Sequence, residues 1–430
     1  IEKRINDDNP VKVALIGAGK FGSMFLSQVP STKGIEVLVI ADLKPDNAVK
    51  ACKNVGWSDD LINKTKFVDT GADAIKLNEV EVVIEATGFP AAGIEHARQA
   101  FQNGKHIIMV NVEADVLAGA ALAKEANSVG VVYSMAYGDQ PALTAEIVEW
   151  ARASGFNVTS AGKGTRYQPI YHKSSPDTVW DYYGLTHEEA RKAGMNPKMF
   201  NSFLDGTKSG LEMAAIANAC DLEVPTNGLL FPPCGMDDLA NILKPLEFGG
   251  LLEKNGQVEV VSSLERDGRP VFKDLRWGVY AVLEAPNDYA ASCFKQYGMN
   301  TDDTGKYSAM YKPFHLIGME LNISVFSAAL LNQATGQTKK FTGDVVSTTK
   351  KNLKKGEILD GEGGATVWGK LVPSKLSLSM EALPIGLAHG IKLKNEIEEN
   401  KIITWNDVDF SSNDPAISYR RKMEKDFKKS

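Results

Sequence analysis

The sequence predicts an α/β protein: a parallel sheet with helices on both faces, then an α+β segment, then a small β-rich unit. Three observations predict it. Residues 11–29 read as strand, tight glycine turn and helix. Apolar runs and helical patterns then alternate to about residue 155. After residue 157 that alternation stops, and beyond 343 short apolar runs are separated by glycine turns. Repeated strand–helix alternation implies a mostly parallel sheet, because each crossover helix packs back onto a face.

Composition agrees with this class. A chain of 430 residues holds two or three domains, and 24% charged with 43% hydrophobic residues is ordinary for a globular protein. A formal charge of −6 argues against nucleic acid as a partner. Cys52, Cys220, Cys234 and Cys293 show no C-x-x-C spacing, so neither a disulfide framework nor a zinc site is expected. No apolar stretch is long enough to span a bilayer, and a membrane partner is not expected. The opening IEKRINDDNP is polar and unlike a secretory signal, which makes cytoplasm the expected location.

The first element is the apolar run 11–16, which empties into Gly17-Ala18-Gly19-Lys20-Phe21-Gly22. In this G-x-G-x-x-G the first glycine allows the turn and the second lets backbone approach a pyrophosphate. The third lets the helix pack on the strand, and the helix start offers N–H groups to phosphate. A second apolar run, 37–41, ends at Asp42, twenty residues past Gly22. A carboxylate there accepts hydrogen bonds from a ribose 2′-OH and repels a 2′-phosphate. NAD is therefore the favoured cofactor, while Lys44 is a nearby cation that leaves NADP open. These features predict a Rossmann-type doubly wound sheet. Its cofactor-binding residues are Gly17, Gly19, Lys20, Phe21, Gly22 and Asp42, joined by Ala86, Thr87, Gly88 and Asn111.

The elements that follow are read in order. A polar helix spans about 46–57. The strand 81–85 ends in Ala86-Thr87-Gly88-Phe89-Pro90, before a helix over 93–103. The strand 106–110 ends in Asn111-Val112-Glu113-Ala114-Asp115, before a helix over 117–127, and the strand 131–134 leads to Asp139. Ligands bind beyond the carboxyl ends of such strands. Thr87, Asn111, Glu113 and Asp139 are therefore expected to rim one crevice with the glycine loop.

The second part begins with a strand at 157–161, which places Lys163 in a glycine-flanked loop just after it, followed by Arg166. Thr186 and Glu189 fit a capping box. Residues 197–219 carry Asp205, Lys208 and Glu212 at i, i+3 and i+7, one face if helical. Gly206 and Gly210 leave the alternative of a turn entering a helix at Ser209. Strands are expected at 258–264 and 277–283. His315 is a candidate acid/base, and an apolar helix at 319–331 is expected to return to the nucleotide domain. The domain reading is 1–155 for dinucleotide binding, with a returning helix near 316–335, and 156–315 for substrate. A β-rich module at 340–410 and a charged tail at 411–430, fraying or helical, complete it.

The strings GAGKFG, EATGFP, GKHIIMVNVEAD, GDQP, SAGKGT and DGTKSGLEMAAIANA resemble the homoserine dehydrogenase superfamily. Within it, NVEAD, SAGKG, EMAAIANA and YKPFHL are most similar to 1-deoxy-D-xylulose 5-phosphate reductoisomerase-like proteins. The resemblance covers roughly residues 10–410. The run KKGEILDG, ALPIGL and IITWNDV resembles a SAF (antifreeze-like) domain. The resemblance implies an NADP-dependent rearrangement and reduction of a pentulose phosphate to a methylerythritol phosphate. This chain departs from the pattern at Asp42 or its neighbours, where the compared members carry Arg. It also lacks the homoserine dehydrogenase lysines, one expected within NVEAD and one where Ile216 stands. The matching acid, Glu212, remains, so simple homoserine oxidation is not expected.

Hydride transfer to a carbonyl builds negative charge on oxygen, which a positioned cation or acid must meet. The expected catalytic residues are Lys163, Lys208, Glu212 and Asp139, with one lysine as proton donor. The other lysine, with Arg166, is expected to clamp an anion. Glu113, Asp205 and His315 are the further substrate-binding candidates, with Asp205 and Glu212 orienting Lys208. Glu113, Asp139 and Glu212 have the oxygen chemistry of a divalent-ion site, but no spacing requires one, and metal-free reduction is the default. The leading expectation is an NAD(P)-dependent oxidoreductase acting on a small, polar hydroxy or keto compound, phosphorylated or not. A metal-assisted reductoisomerase and a non-catalytic NAD(P) sensor are the alternatives. Such enzymes are usually homo-oligomers.

Overall fold

In the computed structural model, which describes residues 1–428, six strands form one parallel sheet. They are β1 (Val11–Ile16), β2 (Ile35–Ala41), β3 (Lys66–Val68), β4 (Val82–Glu85), β5 (His106–Met109) and β6 (Tyr133–Met135). Their order is β3-β2-β1-β4-β5-β6, and every neighbouring pair is parallel. The order reverses direction between β1 and β4, the switch point of a doubly wound sheet. Val13, Leu15, Ile84 and Ile108 are fully buried on these strands, as expected where helices cover both faces.

The chain divides into two units, Ile1–Glu146 with His315–Lys339 and Ile147–Phe314 with Lys340–Ser430. In the first unit the expected return segment is the helix Asn322–Phe326 followed by a π-helix, Ser327–Leu331, rather than one α-helix from 319. Leu321 and Val325 pack into the core beside Val13 and Leu15. The sequence reading missed β3, too short for a period, and two short helices. Those are Asp59–Lys64, capped by Ser58, and Gly71–Ile75, capped by Thr70.

The end of the return segment is tied down by a buried acid. Asp115 accepts a hydrogen bond from the Tyr133 hydroxyl at 2.8 Å and from the Thr338 hydroxyl at 3.0 and 2.9 Å. Burial outweighs these donors and raises its pKa from 3.8 to about 6.

The second unit is built on β7 (Asn157–Thr165), β8 (Gln257–Ser262), β9 (Val279–Glu284) and β10 (Tyr307–Lys312) in the order β10-β9-β7-β8. Here β7 and β8 are parallel, while β9 is antiparallel to β7 and β10. Residues 340–428, read from the sequence as a separate module and tail, are part of this unit. They supply β11 (Gly343–Thr349), β12 (Ile358–Asp360), β13 (Val367–Pro373), β14 (His389–Leu393) and β15 (Val408–Asp409). The helix Thr207–Cys220 packs against both β7/β8 and β11/β13. Every residue of it except Lys208 is buried. That explains its run of Ala, Gly and Ser, since a helix enclosed on all sides cannot keep a polar face.

The tail is a helix, Pro415–Lys428. Arg420 on it is fully buried, pairing with Asp344 at 2.5 Å and with Glu424 at 2.9 Å.

The raised pKa of Asp115 gives a pH signature. Between about pH 4 and pH 6 the folded chain retains a proton that the unfolded chain releases. This carboxyl therefore makes stability fall as pH rises through that window. Asp115→Asn is expected to flatten the fall, read as the difference in Tm between pH 4 and pH 6.5.

Candidate active site

The candidate nucleotide site lies in the first unit. Gly17 turns with φ +96°, and a Cβ there would stand 2.8 Å from the Ala86 carbonyl oxygen, so no side chain fits. Gly22 backs onto the Gly17 carbonyl, 2.2 Å from where its Cβ would be. Gly19, by contrast, has nothing within 4 Å of an added Cβ and caps the helix Lys20–Gln28 without a side-chain bond. It leaves open backbone where a pyrophosphate would approach, and Lys20 and Phe21 open that helix. Asp42 follows β2 and accepts from the Ala18 N–H at 3.2 Å and the Lys44 N–H at 3.0 Å. Its carboxylate is thereby fixed at the glycine loop, while the Lys44 side chain is exposed.

At the end of β4, Glu85 is fully buried. Its Oε1 accepts from the Thr87 hydroxyl at 2.5 Å and meets His96 Nδ1 at 3.3 Å, while Oε2 has no partner. Thr87 and Gly88 are exposed and Ala86 is half-buried. Asn111 caps the helix Val112–Ser128 by accepting from the Ala114 N–H at 3.0 Å, and donates to the Phe89 carbonyl at 3.0 Å. It therefore braces the Thr87 loop as well as ending β5. Glu113 sits half-buried in the first turn of that helix, and Asp139 is buried just before the helix Gln140–Ala153. Asp139 Oδ1 accepts the Gln140 N–H at 2.8 Å. Thr87, Asn111, Glu113 and Asp139 do follow the ends of β4, β5 and β6. His315 is half-buried at the start of the returning segment, in this same unit.

The second unit holds the lysines, and two expectations need correction. Lys163 is not in a loop: β7 continues through it to Thr165. Its flanking glycines serve neighbouring backbone, not a substrate. A Cβ on Gly162 would lie 1.9 Å from the Glu259 carbonyl oxygen, and one on Gly164 1.9 Å from that of Leu275. Nor do Asp205, Lys208 and Glu212 share one helix face. The helix starts at Thr207, after Gly206 in a left-handed turn at φ +91°. Asp205 is fully buried before that turn, where Oδ2 accepts from Lys350 Nζ at 2.7 Å and Oδ1 from the Thr207 N–H at 2.9 Å. Both of its oxygens are thus engaged by the protein itself.

Lys208 and Glu212 do share a face, at i and i+4. Glu212 forms a close ion pair with Lys163, the two side chains being 6% and 8% exposed. Lys350 spends all three ammonium protons, on Asp205, the Ser174 carbonyl and the Gly364 carbonyl, each at 2.7 Å. Lys163 has Glu212 as its only protein partner among the described residues and keeps donor capacity. Arg166 is half-buried, with an Nε that has no partner. Lys350 and Arg276 escaped the sequence reading, because strand register and not local pattern brings them into the unit. Among the described residues no group of three or more His, Cys, Asp or Glu side chains is placed to hold a metal ion.

A parallel doubly wound sheet, a bare glycine turn and a fixed acid after β2 define a Rossmann-type, dinucleotide-binding fold. Two family models match the chain: residues 17–136 match the NAD-binding domain of homoserine dehydrogenase, and residues 138–321 match the catalytic domain of oxidoreductase DRL. Both models describe oxidoreductase domains, the first of them an NAD-binding one. No curated protein matches it. Among solved structures, it is similar to a 3-ketoreductase from Actinomadura kijaniata in complex with NADP (16% identity, 37% of this chain and 50% of that one, TM-score 0.27). It is also similar to a biliverdin reductase from Synechocystis with biliverdin and NADP+ (18%, 37% and 48%, TM-score 0.28). A third is a myo-inositol dehydrogenase from Lactobacillus casei with NAD(H) and myo-inositol (14%, 64% and 71%, TM-score 0.37). The chain spans about half the length of the first two. No helix among the described residues is long and apolar enough to cross a membrane.

The crowding at Gly164 makes a direct prediction. Gly164→Ala sets a methyl group against fixed backbone and is expected to destabilise the protein by about 1–3 kcal/mol, seen as a lower midpoint in urea unfolding.

Proposed function

We propose that the chain transfers hydride between NAD, in preference to NADP, and a small polar hydroxy or keto compound, with Lys163 as the proton donor to the carbonyl oxygen. The observation that carries this reading is the spare donor capacity of a nearly buried ammonium held by one carboxylate. Asp42 supports the preference for NAD: its carboxylate suits a ribose 2′-OH and opposes a 2′-phosphate. Gly19 leaves the loop bare for the pyrophosphate, Gly17 and Gly22 permit its tight turn, and Ala86, Thr87 and Gly88 border it. When bound, the nicotinamide supplies or takes up the hydride.

The residues of the second unit account for the rest. Negative charge growing on the substrate oxygen meets Lys163 Nζ, which donates the proton that completes the alcohol. Glu212 positions that ammonium. Lys208, one turn earlier and the one residue of its helix that is not buried, is the second cation of this face. The segment similar in sequence to SAF domains buttresses the helix, since the Gly369 N–H of β13 donates to Thr207 Oγ1 at 2.8 Å. A reductoisomerase would share this reduction step, and nothing in the second unit favours a preceding rearrangement over reduction alone.

Lys163→Met is expected to lower kcat by about 10²–10⁴-fold on any substrate turned over, followed by NADH absorbance, with NADH affinity unchanged. The K163M/E212Q double variant removes the unpaired buried carboxylate and serves as the folded control. Full activity in both would refute the role. Asp42→Ala is expected to erase at least tenfold of the preference for NADH over NADPH in nucleotide-fluorescence titrations. An unchanged ratio would place the discrimination elsewhere.

A further inference from the structure

Arg166 follows β7 directly, and Arg276 lies just before β9. The two segments run together: the Gly164 N–H donates to the Gly278 carbonyl at 3.1 Å, and a Cβ on Gly164 would lie 2.9 Å from the Arg276 nitrogen. The two guanidinium charges consequently oppose each other, and both act on the phenol of Tyr183. Like charges held together cost free energy unless a counter-charge joins them.

The Asp274 carboxylate acts on Arg276 from a distance, without pairing with its guanidinium. Neither arginine forms an ion pair among the described residues, although the other arginines of this unit that are not exposed, Arg420 and Arg421, both pair with carboxylates. Arg166 Nε is buried with no acceptor. The Arg276 guanidinium stacks on the exposed Trp277 ring at 4.5 Å. Nearby Asp274 places Oδ1 on the Arg276 backbone N–H at 2.8 Å rather than on its side chain. Burial holds the Tyr183 phenol above its usual pKa, so it remains a donor. A buried N–H without an acceptor costs about 1–3 kcal/mol, and the guanidinium fork matches the oxygens of a phosphate or carboxylate.

We propose that Arg166 and Arg276, with Tyr183, form an oxyanion subsite that holds a phosphate or carboxylate group of the substrate. That the ligand is a substrate rests on the oxidoreductase reading above; that the site binds an oxyanion does not. It narrows the substrate class to small hydroxy or keto compounds carrying a terminal anionic group. Lys163, on β7 and three residues before Arg166, meets the reacting oxygen.

The test is titration of the full chain with inorganic phosphate and, separately, with malonate, reading tryptophan emission because Trp277 stacks on Arg276. A saturable change with either ion is expected, weakened at least tenfold in Arg166→Met and Arg276→Met while NADH affinity stays the same. Arg276→Lys keeps a cation without the fork and is expected to fall between. Saturation by phosphate alone assigns a phosphorylated substrate, and by malonate alone a carboxylated one. No saturable response in the native chain, or the same response in all variants, overturns the subsite. Oxyanion binding that depends on both arginines in a chain that does not bind NADH would leave the subsite standing and overturn the hydride-transfer reading.

Discussion

The second unit is organised around one buried ion pair, Lys163 with Glu212. Removing two charges from water costs several kcal/mol for each ion, and attraction offsets that cost only where the geometry is fixed. Fixing it places demands on everything nearby. Strand β7 must lie so close to its neighbours that only glycine fits at 162 and 164. The helix bearing Glu212 is enclosed by sheet β7/β8 on one side and β11/β13 on the other. A Cβ on Gly369 of β13 would lie 2.8 Å from Thr207 Cγ2, so the C-terminal strands press directly on the helix start.

Not every buried pair in this unit is poised for chemistry, and hydrogen-bond saturation tells them apart. Lys350 has three acceptors for three protons, and Arg420 sits between Asp344 and Glu424. Such groups bind chain to chain. Lys163 and Arg166 keep donors that the protein leaves unmet. An unmet donor in a nearly dry place is costly, and it persists where a ligand supplies the missing acceptor.

What the sequence could reveal followed from the range of the interactions. The glycine turn and Asp42 are encoded within one strand–helix–strand passage, so their placement was legible residue by residue. The capping box at Thr186 and Glu189 is equally local and is present. Lys163 was misplaced because β7 extends past Ala161 only by pairing with β8 and β9, from residues about a hundred positions later. Asp205 looked like part of a helix face because its partner, Lys350, lies far along the chain. Arg276 carried no signal of its own until register set it beside Arg166.

The path of the chain between the units bears on how the protein is made. Leu321 and Val325 complete a core that begins with Val11, yet the second unit's first segment is translated between them. The second unit in turn closes its Asp344 charge with Arg420. Each unit is therefore completed by a segment that is made well after its first strands. Until residues 315–339 emerge, the first unit has all six strands but lacks the Leu321 and Val325 that complete its core.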